Sequence, residues 1–168
     1  LNESKTLPPL LDECRDVFGR DSERQWKVLV ADNGSTDGSR EIARERGVEV
    51  VPVPIRGYGA ALHAGIINAD SRWVVYADAD GTYRPEDAIS LARLAESSGA
   101  ELVMGSRIRG TIEPGAMPWS HRHLGTPVLS FLIRVLYGIE ISDCNSGIRC
   151  VNRDAYIRWK IRSRGMEF

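Results

Sequence analysis

Trp73-Val-Val-Tyr-Ala-Asp-Ala-Asp80 decides the reading of this chain: a compact apolar run that stops abruptly at carboxylates. The pattern has a twin upstream, Lys27-Val-Leu-Val-Ala-Asp32, which gives way to Asn33-Gly-Ser-Thr-Asp37. β-Branched and aromatic runs bounded by turn residues are strands, and continuous apolarity marks strands covered on both faces. Outward from these two, residues 49–53, 101–105 and 148–151 read as further strands. Apolar residues at helical spacing predict helices over 10–18, 37–46, 59–68, 85–97 and 123–136, and another from 154. Ser35 or Thr36 is the expected N-cap of the second helix, and Pro85 with Glu86 and Asp87 suits a helix start. Residues 109–118 form a Gly/Pro-rich loop. Strands alternating with helices predict an α/β fold, a mainly parallel sheet sandwiched by helices, as one domain over 1–168. Such sheets bind ligands outside the carboxyl ends of their strands. Asp32 and Asp78 stand at two of those ends.

The 168 residues are 42% hydrophobic and 27% charged, with a formal net charge of −1, an ordinary globular composition. Without a basic block, no nucleic-acid partner is expected, and any anion must be met by local groups. Cys14, Cys144 and Cys150 are an odd number without CxxC pairing, which predicts reduced thiols in a cytosolic compartment rather than a zinc site. No apolar run reaches the ~18 residues of a membrane-spanning helix. The nearest, 128–141, is interrupted by Arg134 and Glu140, and residues 1–11 lack the zones of a signal peptide. The chain reads as one that could lie against a membrane.

Asp78-Ala-Asp80 is the sharpest chemical signal. Two carboxylates one residue apart can share a divalent cation, and hard oxygen donors suit Mg²⁺ or Mn²⁺ completed by water and substrate phosphate. Asp80-Gly81 is also a common turn dipeptide. Asp32 can accept hydrogen bonds from a base or ribose, and Gly34 lets the backbone approach a ligand; a plain strand–helix connection explains them too. Arg56-Gly-Tyr-Gly-Ala-Ala-Leu62 opens a helix whose first amides favour phosphate, although close helix–sheet packing accounts for Gly57 and Gly59 as well. Leu62 rules out a complete GxGxxG, and the Gly-Lys-Ser/Thr ending of a P-loop is missing. Arg107, Arg109, His121, Arg122, His123 and Arg149 form a basic set whose guanidinium forks match phosphate; a solvated face is the plainer alternative. Asp143, ahead of Cys144-Asn-Ser-Gly-Ile-Arg149, is a base, a positioner or a turn cap on composition alone.

Taken together and in this order, the motifs resemble the family 2 glycosyltransferases of GT-A fold, most of all the dolichol-phosphate mannosyltransferases and polyprenyl-phosphate relatives. Leu1-Asn-Glu3, Asp32 to Asp37, Gly57-Tyr-Gly-Ala-Ala61, Asp78-Ala-Asp80, Gly105-Ser-Arg107, Trp119 with Arg122, Asp143 to Arg149 and Gly165-Met-Glu-Phe168 carry the likeness across the whole chain. The resemblance implies a nucleotide-sugar donor of the GDP-mannose or UDP-glucose type and a polyprenyl-phosphate acceptor at the cytoplasmic face of a membrane. By the same resemblance Asp32, with Gly34, Arg56, Gly57 and Gly59, faces the donor, while Asp78 and Asp80 hold Mg²⁺ or Mn²⁺ and the diphosphate. Arg107 and Arg122, with Thr126, face the acceptor phosphate, and Asp143 is the candidate base near it. Transfer is implied to invert, by in-line attack on the anomeric carbon.

Two features depart from the family pattern. The mannosyltransferases often continue the DxD with Leu-Gln, where Gly81-Thr82 stand here, which leaves the donor open. Family members also begin with a strand that runs into Asn-Glu and continue past the equivalent of Phe168. The resemblance therefore implies a GT-A piece without its first strand. A soluble or polysaccharide acceptor on the same fold, or a nucleotidyltransferase making activated sugars, are the alternatives.

Overall fold

The computed structural model describes residues 1–108 and 125–166. Its elements run α1 (Leu7–Phe18), β1 (Leu29–Asp32), α2 (Ser39–Glu45), β2 (Glu49–Pro52), α3 (Tyr58–Asn68), β3 (Trp73–Tyr76), α4 (Pro85–Ser98), β4 (Leu102–Met104), α5 (Thr126–Tyr137), β5 (Arg149–Asn152) and α6 (Arg153–Trp159). The α/β alternation is therefore present, with helices over short strands that are mostly half-buried. β1 and β2 pair in parallel, Asp32 opposite Pro52.

The other ladder is antiparallel, where a mainly parallel sheet was expected. β5 lies between β3 and β4 and runs antiparallel to both, with Val75 and Val103 each opposite Cys150. A parallel strand there would need a crossover back to the opposite edge; here the chain enters β5 from the end where β3 and β4 finish. Its preceding loop, 143–148, consequently arrives at the carboxyl ends of β3 and β4. The two ladders share no strand-to-strand hydrogen bonds.

Three clusters form the core. Leu7, Leu11 and Ala43 pack α1 and α2 on β1 and β2. Leu91, Ala95, Val103, Ile148 and Cys150 join α4 to β4 and β5, and Ile66, Val151 and Tyr156 join α3 to β5 and α6. Each large side chain buried there contributes about 1.5–3 kcal/mol. Cys150 is fully buried, and burial pushes its thiol up to about 12. Cys14, Cys144 and Cys150 are all unpaired. Among the described residues no helix is long and apolar enough to cross a membrane.

Several boundaries move for local reasons. α1 begins at Leu7, ahead of the expected residue 10, because proline is tolerated in a first helical turn. α2 begins only at Ser39, so neither Ser35 nor Thr36 caps it. Gly38, at φ 88°, ends the turn, and Asp37 Oδ1 accepts from the Ser39 amide at 3.1 Å. α5 begins at Thr126, the expected start at His123 lying outside the described residues, and α6 is capped by Asn152, whose side chain accepts from the Ala155 amide.

The segment after α6 doubles back over the start of α3. The Gly59 amide donates to the Gly165 carbonyl at 3.0 Å and the Ala60 amide to the Arg164 carbonyl at 3.1 Å. A Cβ at residue 57 would stand 2.1 Å from the Arg164 carbonyl oxygen, and the φ of 143° disfavours any side chain. Gly57→Ala is expected to cost roughly 2 kcal/mol or more of unfolding free energy, read by urea denaturation. Gly38→Ala, also at positive φ but with nothing within 4 Å of the new methyl, is expected to cost only about 1 kcal/mol. Equal costs would mean that the crossing segment does not press on α3.

Candidate functional site

Asp32 closes β1 and is 5% exposed. Its oxygens accept from the amides of Gly34 at 3.2 Å and Ser35 at 3.1 Å, and Arg40 Nε lies 3.1 Å away. Burial alone would raise this carboxyl; the Ser35 and Gly34 hydrogen bonds and the Arg40 charge outweigh it and hold the group below the usual range. Asp32 thus shapes its own turn, with its oxygens engaged inside the protein. Asn33, which the sequence reading passed over, ties this turn to the next. It donates to the Ile55 carbonyl at 2.7 Å and accepts from the Gly57 amide at 2.7 Å. Arg56 follows as an exposed guanidinium whose Nη2 would lie 3.7 Å from a Cβ on Gly34.

The first six residues stitch the two strand ends together. Asn2 N donates to Ser35 Oγ, Asn2 Oδ1 accepts from the Thr36 amide, and Ser4 N donates to Asp37 Oδ2. On the other side Thr6 Oγ1 reaches the Ala79 carbonyl at 3.1 Å and Glu3 Oε2 at 2.8 Å. The Asp32 turn and the Asp78–Asp80 turn therefore flank one short segment.

Asp78 is the carboxylate with a different electrostatic balance. Burial raises its pKa, and the charges of Asp80 and Glu3 push the same way, against a hydrogen bond from Tyr58. The Tyr58 hydroxyl is pushed up to about 12 by burial and by Asp78. Asp80 is exposed and accepts from the Thr82 amide at 2.9 Å, so Thr82 meets the motif through its backbone. Among the described residues no three His, Cys, Asp or Glu side chains form a ready cage for an ion. Two hard carboxylates under mutual repulsion, with one of them half-buried, fit a cation that completes its shell from water and phosphate.

Residues 143–149 form the wall opposite. A Cβ on Gly147 would meet Asp78 Oδ2 at 2.8 Å, and the Gly147 amide donates to the Tyr83 hydroxyl at 2.7 Å. Arg149 Nε donates to the Ser146 carbonyl at 3.1 Å. At the near end of this wall Asp143 is buried in a two-point pair with Arg107, whose Nε and Nη2 lie 2.8 and 3.0 Å from its oxygens. Burial would raise Asp143, but the Arg107 contacts outweigh it and hold the carboxyl low. That is poor chemistry for a base and good chemistry for an anchor. Thr126 is turned inward, its hydroxyl accepting from Asn145 Nδ2 at 3.4 Å, with Ser130 Oγ accepting from the Cys144 amide at 3.2 Å.

Two other expectations sit elsewhere. The amides of Gly59 and Ala60, at the start of α3, already donate to Gly165 and Arg164, so the Gly57–Gly59 turn holds the protein's own carbonyls rather than presenting a phosphate cradle. Arg109, Trp119, His121, Arg122, His123 and residues 167–168 lie outside the described residues. Glu3, Asn33 and Tyr58 stood inside quoted motifs without a role of their own, and Tyr83 stood in none. A cavity of about 460 Å³ lined by Arg72, Trp73, Glu101 and Arg158 opens at the opposite end of β3, away from Asp78.

The family model described as "Glycosyl transferase family 2" matches residues 1–159. The low-salt glycan biosynthesis hexosyltransferase Agl6 of Haloferax volcanii is 39% identical over 168 residues, all of this chain and 40% of that protein. The dolichyl-phosphate hexose transferase of the same organism is 32% identical over 91% of this chain and 63% of its own length. Among solved structures, glucosyl-3-phosphoglycerate synthase from Mycobacterium tuberculosis in complex with Mn²⁺, UDP and glucosyl-3-phosphoglycerate superposes with a TM-score of 0.65 at 24% identity, over 92% of this chain and 54% of that one. It shares the fold, and the chain spans only part of the proteins it matches.

Asp78 yields a direct prediction. Its raised pKa means that the folded state holds its proton more readily than the unfolded chain. Its contribution is most favourable when protonated and turns unfavourable as pH rises through the folded value, so at neutral pH the charge is a net cost. Asp78→Asn is expected to raise the melting temperature of metal-free protein by about 1–3 °C and to show no further rise with Mn²⁺, where the wild type is expected to show one. A variant that melts lower without metal contradicts this account.

Proposed function

The chain belongs to glycosyl transferase family 2, and on that premise we propose that it moves a hexose from a GDP- or UDP-linked donor to a polyprenyl phosphate, with inversion. The supporting observation is the shared wall of residues 143–149, which abuts Asp78 at Gly147 and grips Arg107 at Asp143. One loop thus borders a cation-seeking carboxylate and a rigid guanidinium. That is what a transfer between a diphosphate leaving group and a phosphate nucleophile needs.

In this reading Asp78 and Asp80 hold Mg²⁺ or Mn²⁺, which when bound neutralises charge on the departing diphosphate. Asp32 keeps the turn of residues 33–37 in shape, Gly34 leaves room beside it, and Arg56 at the rim meets the donor. Arg107, with Arg122, orients the acceptor phosphate. A phosphate monoester is largely ionised near neutral pH, so its oxygen attacks the anomeric carbon without a strong base. Positioning and charge neutralisation supply most of the rate. The relative named a dolichyl-phosphate hexose transferase supports a lipid phosphate.

α5 supports the same acceptor. Its buried residues are the polar Thr126 and Ser130, while Val128, Leu129, Phe131, Leu132, Val135 and Leu136 are exposed. At 100° per residue the apolar arc stands opposite the buried pair, the reverse of a helix packed on a core. Such a helix lies in the interface of a membrane, at its cytoplasmic face in this reading. A soluble phosphorylated acceptor is the second reading, favoured by the phosphoglycerate product in the superposed synthase.

The experiment is a donor panel of GDP-mannose and UDP-glucose against farnesyl phosphate, with and without Mn²⁺. Asp80→Asn is expected to lose metal-dependent donor binding and to lower kcat/KM by roughly 10²–10³. Undiminished metal-dependent binding would sink the assignment. Separately, a Val135→Glu, Leu136→Glu variant, changed where exposure is 65% and 74%, is expected to fold normally and to bind anionic vesicles roughly 10-fold less in flotation. Unchanged flotation would argue for the soluble acceptor.

A further inference from the structure

Asp143 holds Arg107 more completely than an ion pair requires. Arg107 Nε donates to Oδ2 at 2.8 Å, Nη2 to Oδ1 at 3.0 Å, and the Arg107 backbone amide to Oδ2 at 3.1 Å. The Asn145 amide adds a further donor to Oδ1 at 3.1 Å. The Asp143 side chain is 0% exposed, while Arg107 keeps 31% of its own surface open. Around the pair, Ser142 Oγ donates to Ser106 Oγ at 2.8 Å, binding the two loops on either side of it. Tyr83 and Cys144 are the other titratable groups close enough to act on Arg107.

The consequence lies in what the grip leaves over. The edge of the guanidinium that carries Nε and one N–H of Nη2 is used up. Nη1 and the second N–H of Nη2 have no partner among the described residues, and the Arg107 side chain as a whole stays partly open. A planar fork with one edge fixed presents the other edge at a set angle, and two parallel N–H groups match two oxygens of a phosphate. A base, by contrast, needs an oxygen that faces the substrate, and both Asp143 oxygens are engaged inside the protein.

We propose that Asp143 is a positioning residue, which locks the Arg107 guanidinium so that its outer edge receives the acceptor phosphate. This rests on the phosphate-acceptor reading above. It goes beyond that reading by assigning the buried carboxylate a role through Arg107 rather than in proton transfer.

The test is a double-mutant cycle in the full chain: wild type, Asp143→Asn, Arg107→Ala and both together. Turnover is followed on farnesyl phosphate and, in parallel, on 3-phosphoglycerate, with Mn²⁺-dependent donor binding measured for each protein. Asp143→Asn is expected to lower kcat/KM for the acceptor by roughly 10- to 100-fold, with acceptor KM rising. Added to Arg107→Ala, it is expected to cost less than about 2-fold more, since the group it positions is gone. Losses that multiply would overturn the proposal in favour of a base. A fall in donor binding together with a lower melting temperature would overturn it in favour of a purely structural role. Should Asp143→Asn fail to fold, Arg107→Lys, which keeps the charge but cannot take the two-point grip, is expected to raise acceptor KM in the same way. Wild-type behaviour from that variant would also overturn the proposal. Turnover on phosphoglycerate alone removes the lipid acceptor but leaves the cycle readable. Turnover on neither probe removes both.

Discussion

A single methyl group does not fit between residue 147 and Asp78. An added Cβ would lie 2.8 Å from Oδ2 and 3.1 Å from the Tyr83 hydroxyl. That close approach fixes where the loop ahead of β5 can run, and much of the site follows. With the backbone pressed on Asp78, residue 143 falls beside the exit of β4, where Arg107 waits. The antiparallel course of β5 between β3 and β4 brings the loop to this end of the sheet. In a wholly parallel ladder the segment entering β5 would sit at the far end. The departure from parallel topology is therefore what lets one loop border two strand exits.

The carboxylates of this region divide by what surrounds them. Asp32, Asp37 and Asp143 all lie below their ordinary range, because amides, hydroxyls or an arginine answer their charge. Asp78 lies above it, pushed by burial and by its acidic neighbours. The first three stabilise turns, through the Asp32–Ser35 contact, the Asp37–Ser39 contact and the Arg107 grip. Asp78 is held by close packing at Gly147 in spite of its charge. Groups whose environments push their pKa values apart have separate jobs, and a carboxylate kept where it is electrostatically unfavourable is one that a cation would satisfy.

Much of the fold was legible because buried strands must be apolar and their tips need not be. Trp73 to Tyr76 and Leu29 to Ala31 announced themselves, and the aspartates after them marked the carboxyl ends of both strands. What could not be read was direction and contact. Nothing in Arg149-Cys-Val-Asn152 says that this strand runs against its neighbours, since apolarity is the same in either sense. The glycine at 57 signalled a close approach correctly, but the approaching group is the carbonyl of Arg164 and not a ligand. Asp143 was visible as a polar residue before a turn, while its partner is 36 positions away along the chain. Tyr58 and Tyr83 drew no role from the sequence because only the packed structure brings their hydroxyls to Asp78 and Gly147.

The overall charge makes these local arrangements necessary. With a formal net charge of −1 these residues supply little long-range field for the anionic donor and acceptor proposed above. Attraction has to come from fixed groups acting at contact distance, and fixing them costs side-chain entropy unless the fold supplies the restraint. Arg107 is restrained by Asp143 and Arg149 by the Ser146 carbonyl, both from within the same loop. An unrestrained arginine would meet a phosphate too, but at an angle set by chance. Burying Asp143 therefore spends a desolvated carboxylate on direction rather than on charge, and at −1 overall direction is what the chain most lacks.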